Sequence, residues 1–385
     1  MQSMKRVLFI GNMNDVMNST RSWLNMNKYY HDLLEFSNVS SNFRSPLMEN
    51  GKKYEVKYLF KDNPFHIFIN RKKIRKILNN YDYIIGHNYA TALCSMSGRK
   101  LDLLITHGGD LRNLGKLSYI LKNISSIKSL LVKPFQLWLT LHQKRGQKKF
   151  VRYLITNYWD PIVLSQADLN STSGKLIQNL TPPYIRKSHM HKHFDITRIS
   201  KEFSQYEFKV LCHARHEWFT NGVKPSNKGQ DELIKGWARF IKETNVIGVL
   251  ILLEYGKDVY HSKELIKKLK IEQNVLWLPK QNRQDIFGLI HSVDLCAGEM
   301  KVSIDQNSVH QEVLLMGKPL LTYKDEHVMP SIYSILNVKY NDIPTLLKEY
   351  LRNPTFYIDN AKKNRTEYIS RVNETIQFIE QNILN

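Results

Sequence analysis

VIGVLILLEYGKDVYHSKELIKKLKIEQNVLWLP, residues 246–279, contains a strand, a helix and a second strand. Val246 to Leu253 is almost continuously apolar, as a strand covered on both faces of a parallel sheet must be. Ser262 to Leu269 has helical spacing, and Asn274 to Leu278 is apolar again. Strand, crossover helix and strand make a βαβ unit. The alternation continues outward on both sides. Upstream lie a strand, Phe208 to Cys212, and an amphipathic helix, Asp231 to Lys242. Downstream come a helix over Gln284–Ser292, a short strand over Val293–Ala297 and a helix around Val309–Met316. That last helix stops at Gly317-Lys318-Pro319, with glycine just past the end and proline beyond it. Pro319 to Tyr323 is the next strand. From Ile343 onward the chain reads as helix, broken once at Asn353-Pro354.

The first half has the same rhythm. Arg6 to Ile10 is an apolar run closed by Gly11-Asn12, and Glu55 to Phe60 is a second candidate strand. Phe68 to Leu78 has helical spacing. Tyr81–Ile85 and Leu101–Ile105 are further strands, each ending in a histidine turn, Gly86-His87-Asn88 and Thr106-His107-Gly108-Gly109-Asp110. Ligands of parallel sheets sit beyond the carboxyl ends of the strands, so these turns are candidate site loops. Asn179 to Phe203, with Pro182-Pro183, reads as an inter-domain linker. Its His189, His191 and His193 read as parts of a solvated basic loop.

The 385 residues include 56 Lys+Arg and 35 Asp+Glu, a net charge of +21. The ordinary apolar fraction excludes collagen, coiled coil and wholesale disorder. Cys94, Cys212 and Cys296 are too scattered for a disulfide framework or a thiolate zinc site, which fits a reducing, cytoplasmic setting. No apolar run is long enough to span a bilayer. The opening MQSMKRVLFIGNMND reads as a buried strand entering a turn, not as a signal peptide.

Between Asp110 and Asp160 there is no acidic residue, whereas Arg112, Lys116, Lys122, Lys128, Lys133, Lys144, Arg145, Lys148, Lys149 and Arg152 are basic. Leu131, Phe135, Leu137, Trp138 and Leu141 lie among them. Two readings stand side by side: a face lying on an anionic membrane surface, and a basic helix packed on its own domain. A nucleic-acid groove is a third, but no recognisable module accompanies it, so no nucleic-acid partner is expected.

The second half carries a chain of motifs in a fixed order. Ala214-Arg215 ends a strand, and Asn227-Lys228-Gly229-Gln230-Asp231 opens a helix. Ile251-Leu-Leu-Glu-Tyr-Gly256, Asn274-Val275 and Trp277-Leu-Pro279 follow, and Glu312-Val-Leu-Leu-Met-Gly-Lys-Pro319 comes last. In this order they resemble the C-terminal domain of the group-1 retaining glycosyltransferases of the GT-B fold. The resemblance implies an α/β chain of two Rossmann-like domains facing a cleft. Residues 1–190 would bind the acceptor, with 366–385 crossing back to pack on them, and 205–365 would bind the nucleotide sugar. It implies a retaining, metal-independent sugar transfer from a nucleotide diphosphate sugar to a saccharide or lipid-linked acceptor, with no cofactor. Such an enzyme would act in cell-surface polysaccharide or glycolipid synthesis, and the composition of the basic, aromatic-bearing stretch 111–159 suggests a peripheral cytoplasmic place at the inner face of the membrane.

The leaving group of such a donor is a diphosphate, whose growing charge fixed cations can stabilise. Arg215 offers a planar fork and Lys228 a point charge, although the insertion His216–Asn227 between them must loop out. Glu312 matches the second Glu of the family's paired motif and is expected on the ribose hydroxyls. The first Glu falls at Ile304, which cannot do polar work, so Asp305 is the expected substitute. That departure leaves a non-catalytic binding or scaffold protein of the same fold as the alternative, ahead of a nucleic-acid-binding protein. His107 completes the expected catalytic set with Arg215, Lys228 and Asp305, and His87 is a weaker candidate. Asn307, Ser308, Gly11 and Pro279 join Glu312 in the expected donor-binding set. His213 and His310 have no ligand-like spacing to suggest a metal site.

Overall fold

The computed structural model describes the chain apart from residues 1–3, 12–14, 25–27, 37–47, 50–51, 54–55, 107–126, 157–172, 178–179, 191–200, 220–226, 302–307, 325–332 and 385. Two compact units are present: residues 1–189 with 371–385, and residues 190–370.

The first unit is built on a seven-stranded sheet. Its strands are β1 (Lys5–Ile10), β2 (Tyr29–Phe36), β3 (Tyr58–Phe60), β4 (Tyr83–Gly86), β5 (Leu101–Thr106), β6 (Val151–Thr156) and β7 (Lys175–Ile177), in the order β3-β2-β1-β4-β5-β6-β7. Every pairing is parallel. Its helices include α1 (Val16–Trp23), α2 (Pro64–Ile69), α3 (Arg71–Leu78), α4 (Ala90–Ser97) and α5 (Ile127–Lys149). The central strands are buried, with Leu8, Phe9, Ile84, Ile85, Leu103 and Ile105 wholly out of solvent. That double-sided burial is why these strands read as apolar runs without alternation.

The second unit repeats the plan. Strands β8 (Phe208–Cys212), β9 (Gly248–Leu253), β10 (Val275–Leu278), β11 (Leu295–Ala297), β12 (Leu320–Thr322) and β13 (Leu336–Asn337) run in the order β10-β9-β8-β11-β12-β13, all parallel. Between them lie α6 (Gln230–Thr244), α7 (Val259–Leu269), α8 (Arg283–Ser292) and α9 (Ser308–Met316), followed by α10 (Ile343–Arg352) and α11 (Pro354–Asn382). One core gathers Val210, Leu233, Trp237, Leu250, Leu295 and Leu347 from both strands and helices. In each sheet the strand order reverses once, at β1/β4 and at β8/β11. Those reversals open the crevices where ligands of such sheets sit.

Two expectations change. The helix read over Phe68–Leu78 is two helices, because Asn70 ends the first one: its backbone N–H and its Nδ2 both donate to the His66 carbonyl, at 3.2 and 2.8 Å. The Asn179–Phe203 linker does hold the boundary between the units, at His189/Met190, but its start is packed into the first unit. Thr181 to Arg186 are all buried. Trp23 Nε1 donates to the Ile185 carbonyl at 2.8 Å, and Arg186 forms a two-pronged ion pair with Asp15 at 2.7 and 2.9 Å. His189, read as part of a basic loop, is 3% exposed; His191 and His193 lie outside the described residues. The α11 helix begins at the Asn353-Pro354 break and runs through both units: residues to Ser370 belong to the second and those from Arg371 to the first.

Candidate functional site

The reversal point of the second sheet collects the polar groups. Strand β8 ends at Cys212, and the next three residues are His213, Ala214 and Arg215. Strand β11 ends at Ala297 and leads into Gly298-Glu299. Lys228 and Gly229 lie just before α6. Glu312 sits on α9 and Arg283 opens α8.

Gly229 has φ 70°, a left-handed conformation that a side chain disfavours. A Cβ there would lie 3.0 Å from Lys301 backbone N and 3.1 Å from Met300 C. The Lys-Gly pair therefore lets the start of α6 press against the chain leaving β11. Met300 N–H donates to the Lys228 carbonyl at 2.9 Å and Lys228 N–H to the Glu217 carbonyl at 2.7 Å, which pins the lysine backbone at both faces. Its ammonium bonds the Glu299 carboxylate, which is almost fully buried. An ammonium has three donors, and Glu299 takes one. Arg215 is more open. Its side chain is 47% exposed and one guanidinium nitrogen lies 3.3 Å from Glu217.

Glu312 is enclosed. His213 Nε2 lies 3.0 Å from one carboxylate oxygen, and Arg283 donates through Nε and Nη2 to the other, both at 2.8 Å. Burial would raise the Glu312 pKa, but the Arg283 charge and the His213 hydrogen bond outweigh it and hold the carboxyl below its ordinary range. Three donors on a group with about four acceptor positions leave room for one further hydroxyl. His310, on the same helix, faces Thr322 Oγ1 at 3.0 Å, and Thr322 Oγ1 donates to the Glu299 carbonyl at 2.8 Å. The loops after β8 and β11, the end of β12 and helix α9 are thus tied through polar side chains.

The remaining expected residues are placed less closely. Ser308 opens α9 and is half-buried. Pro279 follows β10 in an exposed turn, its carbonyl accepting from Gln281 Nε2 at 2.8 Å. Gly11 ends β1 with φ 78°, and a Cβ there would meet His87 Nε2 at 3.0 Å, so the glycine packs on the buried imidazole at the first sheet's reversal point. His107, Asp305, Asn307 and Asn12 lie outside the described residues. The insertion after Arg215 is anchored at its described ends. Trp218 and Phe219 N–H donate to Asp258 at 2.7 and 2.9 Å, and Asn227 Nδ2 donates to the Trp218 carbonyl at 3.1 Å.

Sequence reasoning missed Arg283 and Glu299 as site residues and named His213 only to set it aside as a metal ligand. A signal for Arg283 was present: it sits at the first position of α8, where a helix dipole disfavours a cation unless an anion faces it. Gly-Lys-Pro has a structural role. Gly317 takes φ 64° past the end of α9, and Lys318 Nζ donates to the Val293 carbonyl at 2.5 Å. The three cysteines are buried, and burial pushes Cys212 and Cys296 up to about 12. Among the described residues no group of three His, Cys, Asp or Glu is arranged to hold a metal ion.

No protein-family model matches the sequence, and no curated protein is similar to it by sequence. Solved structures do match. The Anabaena protein HepE, crystallised with UDP and glucose, aligns over 99% of both chains with a TM-score of 0.65 and 18% identity. Sucrose-phosphate synthase from Thermosynechococcus elongatus aligns over 99% of both chains at TM-score 0.62 and 10% identity. WaaG, a glycosyltransferase involved in lipopolysaccharide biosynthesis, aligns over 98% of this chain and 100% of its own at TM-score 0.56 and 12% identity. The chain has the GT-B fold. In this GT-B chain the Arg215, Lys228 and Glu312 positions all fall around the carboxyl ends of the central strands of the second sheet.

Proposed function

We propose that the protein transfers a sugar from a nucleotide diphosphate sugar to a saccharide or lipid-linked acceptor, with retention and without a metal ion. The observation that carries this is the pair of cations at the β8/β11 reversal, Arg215 and Lys228, each with donors left over after its carboxylate partner. As the glycosidic bond breaks, charge grows on the diphosphate oxygens. An ammonium and a guanidinium fixed by protein contacts stabilise it without reorganising. The remaining acceptor position on Glu312 suits a ribose hydroxyl, and His213 and Arg283 hold that carboxylate ionised and in place. In this reading the second unit carries the donor and the first the acceptor. HepE's UDP and glucose support a nucleotide-sugar donor. A lipid-linked acceptor would bring the enzyme to the inner face of a membrane, as a peripheral member of a polysaccharide or glycolipid pathway.

The test is a thermal-shift screen of the full chain with UDP-, GDP- and ADP-sugars, followed by product detection with the donor that binds. One donor is expected to raise the melting temperature, and Lys228→Ala to weaken its binding by about 10–100-fold, the worth of a charge-assisted hydrogen bond. Donor binding without transfer or hydrolysis would favour the non-catalytic reading. No binding of any nucleotide sugar would overturn the proposal.

A further inference from the structure

Helix α5 buries one face and leaves the other bare. Inward, Leu139 and Gln143 are buried; Gln143 Oε1 accepts from Ala92 N–H at 3.1 Å and its Nε2 donates to the Asn88 carbonyl at 2.9 Å. Outward, Leu137 and Leu141 lie one turn apart, and Leu131 lies about a quarter-turn round the helix from Leu141. Leu131, Leu137 and Leu141 are 70%, 43% and 52% exposed. Lys144, Arg145 and Lys148 then continue the same stripe. Helix α2 extends the apolar block: Phe65 and Ile69 are 46% and 52% exposed. The two helices are joined through rings, with Phe65 and Phe68 against Phe135 at 4.9 and 5.1 Å and Phe68 edge-on to Trp138 at 5.2 Å. The Arg71 guanidinium covers Phe68 at 4.2 Å. Neither α2, α3 nor α5 contains an Asp or Glu.

Five large apolar side chains in water on two helices packed against each other are more than scattered surface residues. A flat apolar block edged by cations, with no carboxylate, suits the boundary between acyl chains and anionic headgroups. A nucleic-acid groove would put the cations central and would not need bare leucines. We infer that the α2/α5 face of the first unit docks on an anionic phospholipid bilayer, the leucines and Phe65 entering the boundary and Lys144, Arg145 and Lys148 meeting headgroup phosphates. This rests on the transferase reading only in naming why a membrane matters, namely a lipid-linked acceptor held at that surface.

Full-length protein should be sedimented with vesicles of phosphatidylcholine alone and of phosphatidylcholine with phosphatidylserine. Binding is expected to the serine-containing vesicles and to weaken as salt rises. Leu137→Glu/Leu141→Glu should weaken it at least about tenfold. Alanine at Lys144, Arg145 and Lys148 should weaken it about fivefold per residue. Both variants should keep the wild-type melting temperature and its shift with nucleotide sugar, since their side chains are exposed and lie in the other unit. Equal binding to both vesicle types, or undiminished binding by the leucine variant, would overturn the inference. So would tighter binding to a DNA duplex that only the basic variant weakens. Vesicle binding without any nucleotide response would sink the transferase reading and leave the docking face standing. The converse would leave a transferase with a soluble acceptor.

Discussion

Glu312 is 5% exposed, with an imidazole and a guanidinium as its partners. Removing one side of a buried ion pair strands the other charge, which costs about 3–5 kcal/mol. Arg283→Ala should therefore lower the stability of the protein by that amount, read from urea unfolding at neutral pH. The loss should shrink in acid. The folded Glu312 pKa is depressed, so its contribution is complete above the unfolded value and disappears as pH falls through the folded one. His216 sets a second acid limit. Burial lowers its pKa from 6.5 to about 4, with only the Asp258 charge opposing. Its ring stays neutral, facing Ser262 Oγ at 2.8 Å and lying 5.1 Å from the Trp277 ring centroid. The unfolded chain binds a proton in that window and the folded one does not. Stability should fall as pH drops from 6.5 towards 4, by on the order of 2–3 kcal/mol. His216→Gln should flatten that part of the profile, measured by urea midpoints at several pH values.

Among the elements, α4 and α5 approach most closely at a glycine. A Cβ on Gly146 would stand 2.1 Å from the Thr91 carbonyl oxygen, a backbone atom that cannot swing aside. Gly146→Ala should force the helices apart and cost about 1–3 kcal/mol or more, as overpacking does, visible as a lower melting temperature. The elements of the second unit were largely legible, whereas β2, β6 and β7 of the first sheet and helices α1 and α4 were not read. The strands from Phe208 to Thr322 were found within a residue or two because burial on both faces left apolar runs, and the end of α9 because Gly317 marks a stop. The break at Asn70 was not legible, since the apolar spacing continues across it and only a local side-chain bond ends the helix. Burial of Thr181–Arg186 was hidden for another reason. Prolines and cations look solvated until Asp15, far away in sequence, is seen to neutralise Arg186. The site was half legible. Lys228 and Glu312 stand in motifs, whereas Glu299 and Arg283 matter through partners 71 and 29 residues away.

Across the whole molecule, the two units do not correspond to two continuous stretches of chain. Val372, Ile379 and Leu384 are buried, Thr375 Oγ1 donates to the Thr181 carbonyl at 3.0 Å, and Phe378 meets Tyr153 edge-on at 5.3 Å. All of these contacts lie in the first unit. A chain ending at Ser370 should lose stability in that unit, since several buried apolar side chains, each worth about 1.5–3 kcal/mol, go with the deleted turns. Hydrogen exchange should show faster opening of β1 and β6, with the second sheet unchanged. Unaltered protection of β1 would contradict this. Lys5 Nζ, on the first strand, donates to the Leu384 carbonyl at 3.1 Å, so nearly the whole chain separates these two neighbours. A ribosome releases polypeptide from its amino end at about 5–20 residues per second. The unit translated first must therefore wait for residues 371–385 before it can close, and the one encoded in between has its own residues sooner.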